Sequence, residues 1–359
     1  MIVPVLLFIV GLVLLIKGGD WFVDGATGIA GRFHVPELLI GATVVSIGTT
    51  LPEVMVSANS ALSGHGEIAY GNALGSIICN TALIAAITVA VKPGKVDKKA
   101  LRIPVAFFFA ALLIYAIAAY IRGSFERPLG LILLCVFAAY MFILIKQALA
   151  EMKLAGSVGS EGGNAGISEN IQKDKDGGTP ASDAAQINKD KTGPAHAEEK
   201  PLWKDIVLLI IGAVFIAKGA DLLVDNGTLI AAAMGVPESV IALTFVALGT
   251  SLPELVTAIT SLIKGHGALS LGNVCGANLF NLVLVSGLAI TLSPFGLPSG
   301  KTVSLAGNPV NASLVVDMPV CALVMLILTI PAIKGGKLHR WQGITLLGIY
   351  AVFCLFQFL

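Results

Sequence analysis

Gly48-Thr49-Thr50-Leu51-Pro52-Glu53 and Gly249-Thr250-Ser251-Leu252-Pro253-Glu254 are two copies of one hexapeptide, and the sequence around them decides the fold. Working outward, HVPELLIGATVVSIGTTLPEVMVSANSALSGHG, ending at Gly66, aligns with GVPESVIALTFVALGTSLPELVTAITSLIKGHG, ending at Gly267. Upstream, LIKGGDWFVD ends at Asp24 and FIAKGADLLVD at Asp225. Downstream, IAYGNALGSIICN ends at Asn80 and LSLGNVCGANLFN at Asn281. All three pairs keep one spacing of 201 residues, the mark of an internal duplication. The spacing then drifts, yet RIPV from Arg102 still matches DMPV from Asp317, and RPLGLILL from Arg127 matches RWQGITLL from Arg340.

The composition puts this duplication in a bilayer. Apolar residues make up 56% of the 359 and charged residues 13%, with a mean hydropathy of +0.88. A soluble domain carries about a quarter charged residues and could not hide so much hydrocarbon. Runs long enough to cross the core, about 20 residues of helix, lie near 1–19, 36–63, 67–91, 100–121, 127–149, 202–219, 237–264, 268–292, 313–333 and 340–358. The first run lacks a basic leader and a small-residue cleavage site and recurs in mid-chain, so it is expected to be structural. The five cysteines all fall in apolar runs without paired spacing, which argues against a disulfide framework or a zinc site. A net charge of +1 suggests no nucleic-acid partner.

Each copy holds five spans. An odd number forces the second copy into the bilayer upside down, the inverted-repeat plan of secondary transporters. The expected fold is therefore all-α and integral to the membrane: ten transmembrane helices as two inverted five-helix repeats with broken central helices. The first repeat is read as 1–150 and the second as 202–359. Between them, 151–201 is rich in Gly, Ser, Asp and Lys and reads as a disordered linker. With both termini outside, only Arg122, Arg127, Lys218 and Lys301 of the 23 basic residues face outward. The positive-inside rule thus favours N-out, C-out and a cytoplasmic linker.

Of the 22 acidic residues, nearly all lie in loops or at span ends; Glu53 and Glu254 lie deep within spans. A carboxylate at that depth costs several kcal/mol on most scales, and no basic residue shares it, so a functional role is expected. The residues before each Glu sharpen the reading. Mid-helix Gly and Pro free backbone carbonyls, which hydrocarbon tolerates only where they line a polar cavity. A hard cation supplies the missing partner. Two carboxylates with several neutral oxygens suit Ca2+, which takes about six to eight oxygen ligands. The same doubly negative site could be balanced by two or three Na+ ions. The next span adds Gly71-Asn72, with Ser76 and Asn80 one turn apart on one face; the second copy has Gly272-Asn273, Ala277 and Asn281. The asparagine on the helix after each Glu motif is read as a ligand. His65 and His266, in matched GHG turns, are read as turn residues, and Asp20, Asp24, Asp221 and Asp225 as interfacial or cap positions.

GTTLPE…GNALGSIICN and GTSLPE…GNVCGANLFN resemble the two alpha-repeats of the Ca2+:cation antiporter superfamily, and the whole chain is similar to its prokaryotic Na+/Ca2+ exchanger branch. The resemblance implies a ten-helix fold with the motif helices central, and transport of Ca2+ against Na+ by alternating access with no cofactor and no obligate protein partner. It makes Glu53 and Glu254 shared ligands, with the carbonyls and hydroxyls of Thr49, Thr50, Thr250 and Ser251. It further assigns the carbonyls of Ser46 and Ala247 and the hydroxyl of Ser76 to Na+. Ala277 departs from the family serine, which leaves the number of Na+ sites open. Asn80 and Asn281, where K+-dependent relatives carry Asp in one copy, speak against K+ dependence. The default location is the plasma (inner) membrane of a prokaryote. The nearest alternative is an H+/Ca2+ exchanger of the same fold. An intramembrane hydrolase is disfavoured, because no His shares a span with Ser46, Ser76 or Ser251 and no HExxH spacing occurs.

Overall fold

The computed structural model describes residues 2–33, 35, 37–161, 201–233, 250–298, 302–305 and 308–358. Helix α1 spans Ile2–Phe33. A helical rod follows from α2 (Glu37–Ile40) through π-helical Gly41–Val45 into α3 (Ser46–Leu62). A second rod is formed by α4 (Gly66–Cys79), π-helical Asn80–Ala85 and α5 (Ala86–Val91). Then come α6 (Lys98–Arg122) and α7 (Arg127–Glu161). The second half has α8 (Leu202–Ala233), α9 (Leu252–Ile263), and a rod of α10 (Gly267–Phe280), π-helical Asn281–Val285 and α11 (Ser286–Leu292). Past a short loop, π-helical Ser313–Asp317 leads into α12 (Met318–Gly335), and α13 (Arg340–Phe358) follows. Six stretches among the described residues are long and apolar enough by themselves to cross a membrane: 2–33, 66–91, 101–122, 127–150, 267–292 and 313–335. The protein is a nearly all-helical, multi-pass membrane protein.

Several elements run further than the hydropathy reading. α1 continues from the expected end at 19 to Phe33, and α8 from 219 to Ala233. Neither extension contains a proline, and charged residues such as Asp24 and Asp225 are exposed there, so polarity without a breaker did not stop the helix. α7 likewise runs past 150 to Glu161, because Glu151, Met152, Lys153, Leu154 and Ala155 are strong helix formers. The remainder of the expected linker, 162–200, lies outside the described residues. A small hairpin, β3 (Thr302–Leu305) with β4 (Asn308–Asn311), occupies the connection before α12.

Loop pairing reveals the inversion. The turn at 94–98 meets the turn at 334–338: Val96 N–H donates to Gly336 O at 2.9 Å, Leu338 N–H to Gly94 O at 2.8 Å, and Lys98 Nζ to Lys334 O at 2.7 Å. At the other pair, β1 (Ser124–Phe125) joins β2 (Phe295–Gly296) antiparallel. Thus the first repeat's third turn pairs with the second repeat's fourth, and the first repeat's fourth pairs with the second repeat's third. Counterpart turns have exchanged ends, as an inverted repeat requires. Both GHG turns close in the same way. Gly64 and Gly265 take φ of 83° and 86°, a left-handed conformation open to glycine at little cost.

Packing divides the molecule into a core and a covering pair. α1 and α8 lie against each other at glycine contacts, where a Cβ on Gly18 would come within 2.8 Å of the Ile216 nitrogen and 2.9 Å of the Gly212 oxygen. Such backbone approach is how membrane helices associate when hydrocarbon surrounds both sides. The C-terminal end of α1 is tied to the N-terminal end of α8 by Arg32 and Asp205, 3.7 Å apart. The other elements enclose a core in which the central rods 66–91 and 267–292 are the most buried. Near one end, Tyr70, Tyr115 and Phe125 stack, with ring centroids of Tyr115 and Phe125 4.6 Å apart.

Candidate functional site

Helices α3 and α9 carry Glu53 and Glu254, and both glutamates are fully buried. The two motifs are held differently. In the first, Pro52 lies inside a continuous α3 and deprives the Gly48 carbonyl of its helical donor. The irregular turn sits just upstream, at π-helical Gly41–Val45. A π-turn changes the carbonyl pairing of the helix and recurs at functional sites. Here the Ser46 hydroxyl donates to Gly41 O at 2.7 Å, and the Tyr140 hydroxyl donates to Ala42 O at 3.4 Å. In the second motif, α9 starts at Leu252 with Pro253 in its first turn, where a missing N–H costs nothing. Ala247 and Gly249 lie outside the described residues.

The two halves meet at these motifs. Glu53 is near enough to Glu254 for their charges to interact. The Glu254 carboxylate lies beside the Thr49 and Thr50 hydroxyls, and Cys79 sits close to both Ser251 and Glu254. The π-helical segment that begins at Asn281 packs on α3, and the one that begins at Asn80 packs on α9. Each asparagine is therefore delivered to the motif helix of the other repeat. Ser76 is buried one turn before Asn80, and Ala277 stands buried at the corresponding place in α10.

Polar accounting identifies the site. Both carboxylate oxygens of Glu53 and of Glu254, the Thr50 and Ser251 hydroxyls, and the side-chain amides of Asn80 and Asn281 are buried without a hydrogen-bond partner in the protein. An unsatisfied buried polar group costs about 1–3 kcal/mol, and more if charged. A cluster of this kind is stable only with a further partner, and apart from the two asparagine Nδ2 atoms its chemistry is oxygen. Hard cations match that donor set. Among the described residues no three His, Cys, Asp or Glu side chains gather as a metal cluster. The acidic donors that the two motifs bring together are the two carboxylates, Glu53 and Glu254, with neutral oxygens around them.

Two residues outside the expected ligand set join the motifs. Asn72 on α4 donates through Nδ2 to Glu53 O at 3.2 Å and to Ser57 Oγ at 2.9 Å, and its Oδ1 accepts from the Thr250 hydroxyl at 3.3 Å. Asn273 on α10 accepts through Oδ1 from the Thr49 hydroxyl at 3.2 Å and the Ser46 hydroxyl at 3.3 Å, while its carbonyl accepts from Ser46 at 3.0 Å. The signal in the sequence was the repeated Gly-Asn pair; what it could not supply was the partner. Glycine makes the approach possible: a Cβ on Gly41 would overlap Leu269 O and stand 2.8 Å from Asn273 N, and one on Gly276 would overlap the Ser46 hydroxyl. α1 and α8 cover the site, with Phe22, Ala213, Ile216 and Ala217 lining a small cavity against Gly48, Thr49, Pro52 and Pro253.

Comparison with known proteins agrees with this geometry. The family model described as sodium/calcium exchanger protein matches residues 3–146 and 204–359. An uncharacterized membrane protein of Methanocaldococcus jannaschii is 33% identical over 96% of this chain and 95% of its own. A sodium/calcium exchanger of Methanosarcina acetivorans is 30% identical, covering 98% of each chain. Among solved structures, the sodium-calcium exchanger NCX_Mj soaked with Na+ and Sr2+ superposes with a TM-score of 0.74 at 29% identity, covering 98% of this chain and 97% of that one. The chain belongs to the sodium/calcium exchanger protein family and is a membrane cation antiporter.

Proposed function

We propose that this protein exchanges Ca2+ for Na+ across the membrane by alternating access, at a single site shared by both ions. The observation that carries the reading is the set of four unpartnered carboxylate oxygens of Glu53 and Glu254, buried among unpartnered amide and hydroxyl oxygens from both repeats. Glu53 and Glu254 are the shared ligands. Thr49, Thr50, Thr250 and Ser251 add hydroxyl and carbonyl oxygens, Ser46 and Ala247 add carbonyls, and Ser76, Asn80 and Asn281 complete the set from the following helices. A pair of carboxylates with no counter-charge is too costly to carry through hydrocarbon, whereas one Ca2+ or a set of Na+ neutralises it. Both ions need the same two glutamates, so neither binds beside the other, and the site reorients only when loaded. That is the antiport rule. Na+ rather than H+ as the coupling ion is supported by the hydroxyls around the glutamates and by the name of the M. acetivorans relative.

Residues 1–150 and 202–359 form the two repeats of this transporter, joined by a cytoplasmic segment over 151–201 whose first part continues α7 to Glu161, with both termini outside, as the lysine and arginine distribution favours. The covering pair α1 and α8 slides across the core to open the site to one side at a time.

The test is transport by the purified protein in liposomes. Uptake of 45Ca should require internal Na+ and should not respond to a pH gradient in Na+-free medium. Uptake driven by protons without Na+ would keep the two glutamates but assign the exchanger to proton coupling, a result the alanine at position 277 makes worth seeking.

A further inference from the structure

The hydrogen bonds of Asn72 and Asn273 repeat each other across the molecule. Residues 49 and 250 are counterparts under the 201-residue spacing, and so are 72 and 273. Yet Thr49 does not bond to Asn72 of its own repeat, nor Thr250 to Asn273. Thr49 donates to Asn273, and Thr250 donates to Asn72. The same contact is made twice, each time between repeats. Direction matters as much as pairing. Asn72 Nδ2 faces the Glu53 carbonyl, which can only accept, so the amide oxygen is the atom turned to Thr250. An amide oxygen can only accept, so the threonine hydroxyl is the donor. On the other side the Asn273 amide oxygen takes the Thr49 proton, while the single Ser46 proton lies closest to the Gly41 carbonyl, at 2.7 Å.

A hydroxyl that coordinates a cation must present lone pairs and send its proton elsewhere. Beside a carboxylate the easier course is to donate to it, which would occupy the very oxygen the cation needs. Thr49 lies beside Glu254 in just this position, and its proton is taken by Asn273 instead. We propose that Asn72 and Asn273 are positioning residues for the hydroxyl ligands, each holding the motif threonine of the opposite repeat with its proton turned away from the ion. They act through the threonines and are not ligands themselves. This rests on the ligand role given above to Thr49 and Thr250. It also explains why an asparagine stands at both places, since leucine of similar size would leave each hydroxyl free to donate to the nearest glutamate. Asn72 adds a second task, anchoring the backbone of Glu53 itself.

Double-mutant cycles on the full chain in liposomes test this, with half-saturating Na+ for Na+-driven 45Ca uptake as the readout. Thr49→Val and Asn273→Ala should each raise it about fivefold, the effect of losing one net hydrogen bond. Combined, they should do no more harm than either alone, whereas Thr49→Val with Asn72→Ala should multiply. The mirror result is expected for Thr250→Val, which should couple to Asn72→Ala and not to Asn273→Ala. Simple loss of packing would give no such crossed pattern. Multiplication within the crossed pairs would overturn the proposal. Thr49→Val with unchanged Na+ dependence would remove the ligand reading itself and this inference with it. Asn72→Ala also loses the bond to Glu53, so the Asn273 cycle is decisive should that variant not fold; the Asn273 amide nitrogen has no partner to lose. The rise in melting temperature on adding Na+ to the detergent-purified variants gives the same comparison without transport, and it must show the same crossed coupling.

Discussion

Lys264 Nζ donates to the Asp24 carboxylate and to the Asp20 backbone oxygen, each at 2.8 Å, tying the end of α9 to α1. Its counterpart under the repeat spacing is Ser63, which is too short to bind Asp221 or Asp225 on α8. Lys264 therefore fastens α1 to a motif helix by a bond that the serine at its counterpart position cannot make. The ion pair is partly exposed, with side-chain accessibilities of 23% for Lys264 and 56% for Asp24, so it contributes about 1 kcal/mol or less.

Lys264→Ser should consequently leave the melting temperature nearly unchanged while loosening α1. About 1 kcal/mol is up to a fivefold change in a conformational equilibrium. Amide hydrogen exchange over residues 20–33 should rise by up to that factor, and salt near 1 M should abolish the difference by screening. Equal exchange in both proteins at low salt would mean that the lysine does not restrain α1.

Glu53→Gln and Glu254→Gln keep the shape of each side chain and delete its charge. Either should reduce 45Ca flux below detection. Stability in ion-free buffer should move the other way, because the mutant no longer buries two uncompensated carboxylates. In the native protein Ca2+ at 100 times its dissociation constant should stabilise the fold by about 2.7 kcal/mol, and a site shared as proposed requires Na+ added on top to contribute little. Thermal melts with Ca2+, Na+ and both together check this. Additive stabilisation would mean separate sites.

How much of this was readable from residues alone depends on what a residue's neighbours in sequence can say. The duplication, the two buried glutamates and the inverted order of spans follow from patterns along the chain, and the loop pairing around Gly94 and Gly336 bears out the inversion. In the second repeat the interruption falls at Ser251, beside Pro253, as the motif suggests, but in the first repeat it does not fall at the proline. Pro52 is carried within α3, and the disturbance lies at Gly41–Val45; a span apolar on nearly every side, LLIGATVV, has no periodicity for a π-turn to interrupt. The same blindness hid the π-turns at Asn80 and Asn281, although the asparagines themselves stood out as polar residues in apolar spans. Asn72 and Asn273 were visible as residues and invisible as a crossed pair, since their partners lie 178 and 224 positions away. Ala247 remains an expectation from the motif alone.

Close contact between α1 and α8 yields a prediction about packing. A Cβ on Gly212 would stand 2.7 Å from Phe22 Cα and 2.8 Å from Gly18 O, and backbone cannot yield as a flexible side chain can. Gly212→Val should cost about 1–3 kcal/mol through overpacking and should slow transport, because the covering pair can no longer sit against itself. Gly31, at the far end of α1, has nothing within 4 Å of its missing Cβ. Gly31→Ala should raise stability by about 0.5–1 kcal/mol through reduced backbone freedom. Melting temperatures of the two variants, measured side by side, separate a packing effect from a general intolerance of substitution in these helices.

Ala277 is fully buried in α10 at the position corresponding to Ser76, so the site has one hydroxyl fewer on its second half. A Na+ ion held partly by that hydroxyl would lack a ligand, whereas Ca2+, held chiefly by the carboxylates, would lose less. Ala277→Ser restores the oxygen with the addition of a single atom. Half-saturating Na+ for 45Ca uptake should fall about fivefold, the gain expected of one net polar contact, and half-saturating Ca2+ should change little. The steepness of the Na+ dependence then distinguishes two cases. A Hill coefficient that rises with the substitution means that the native protein binds fewer Na+ ions than a site with serine at both 76 and 277 would. An unchanged coefficient with tighter binding means that the ion is already held there by other oxygens, and that position 277 tunes affinity alone.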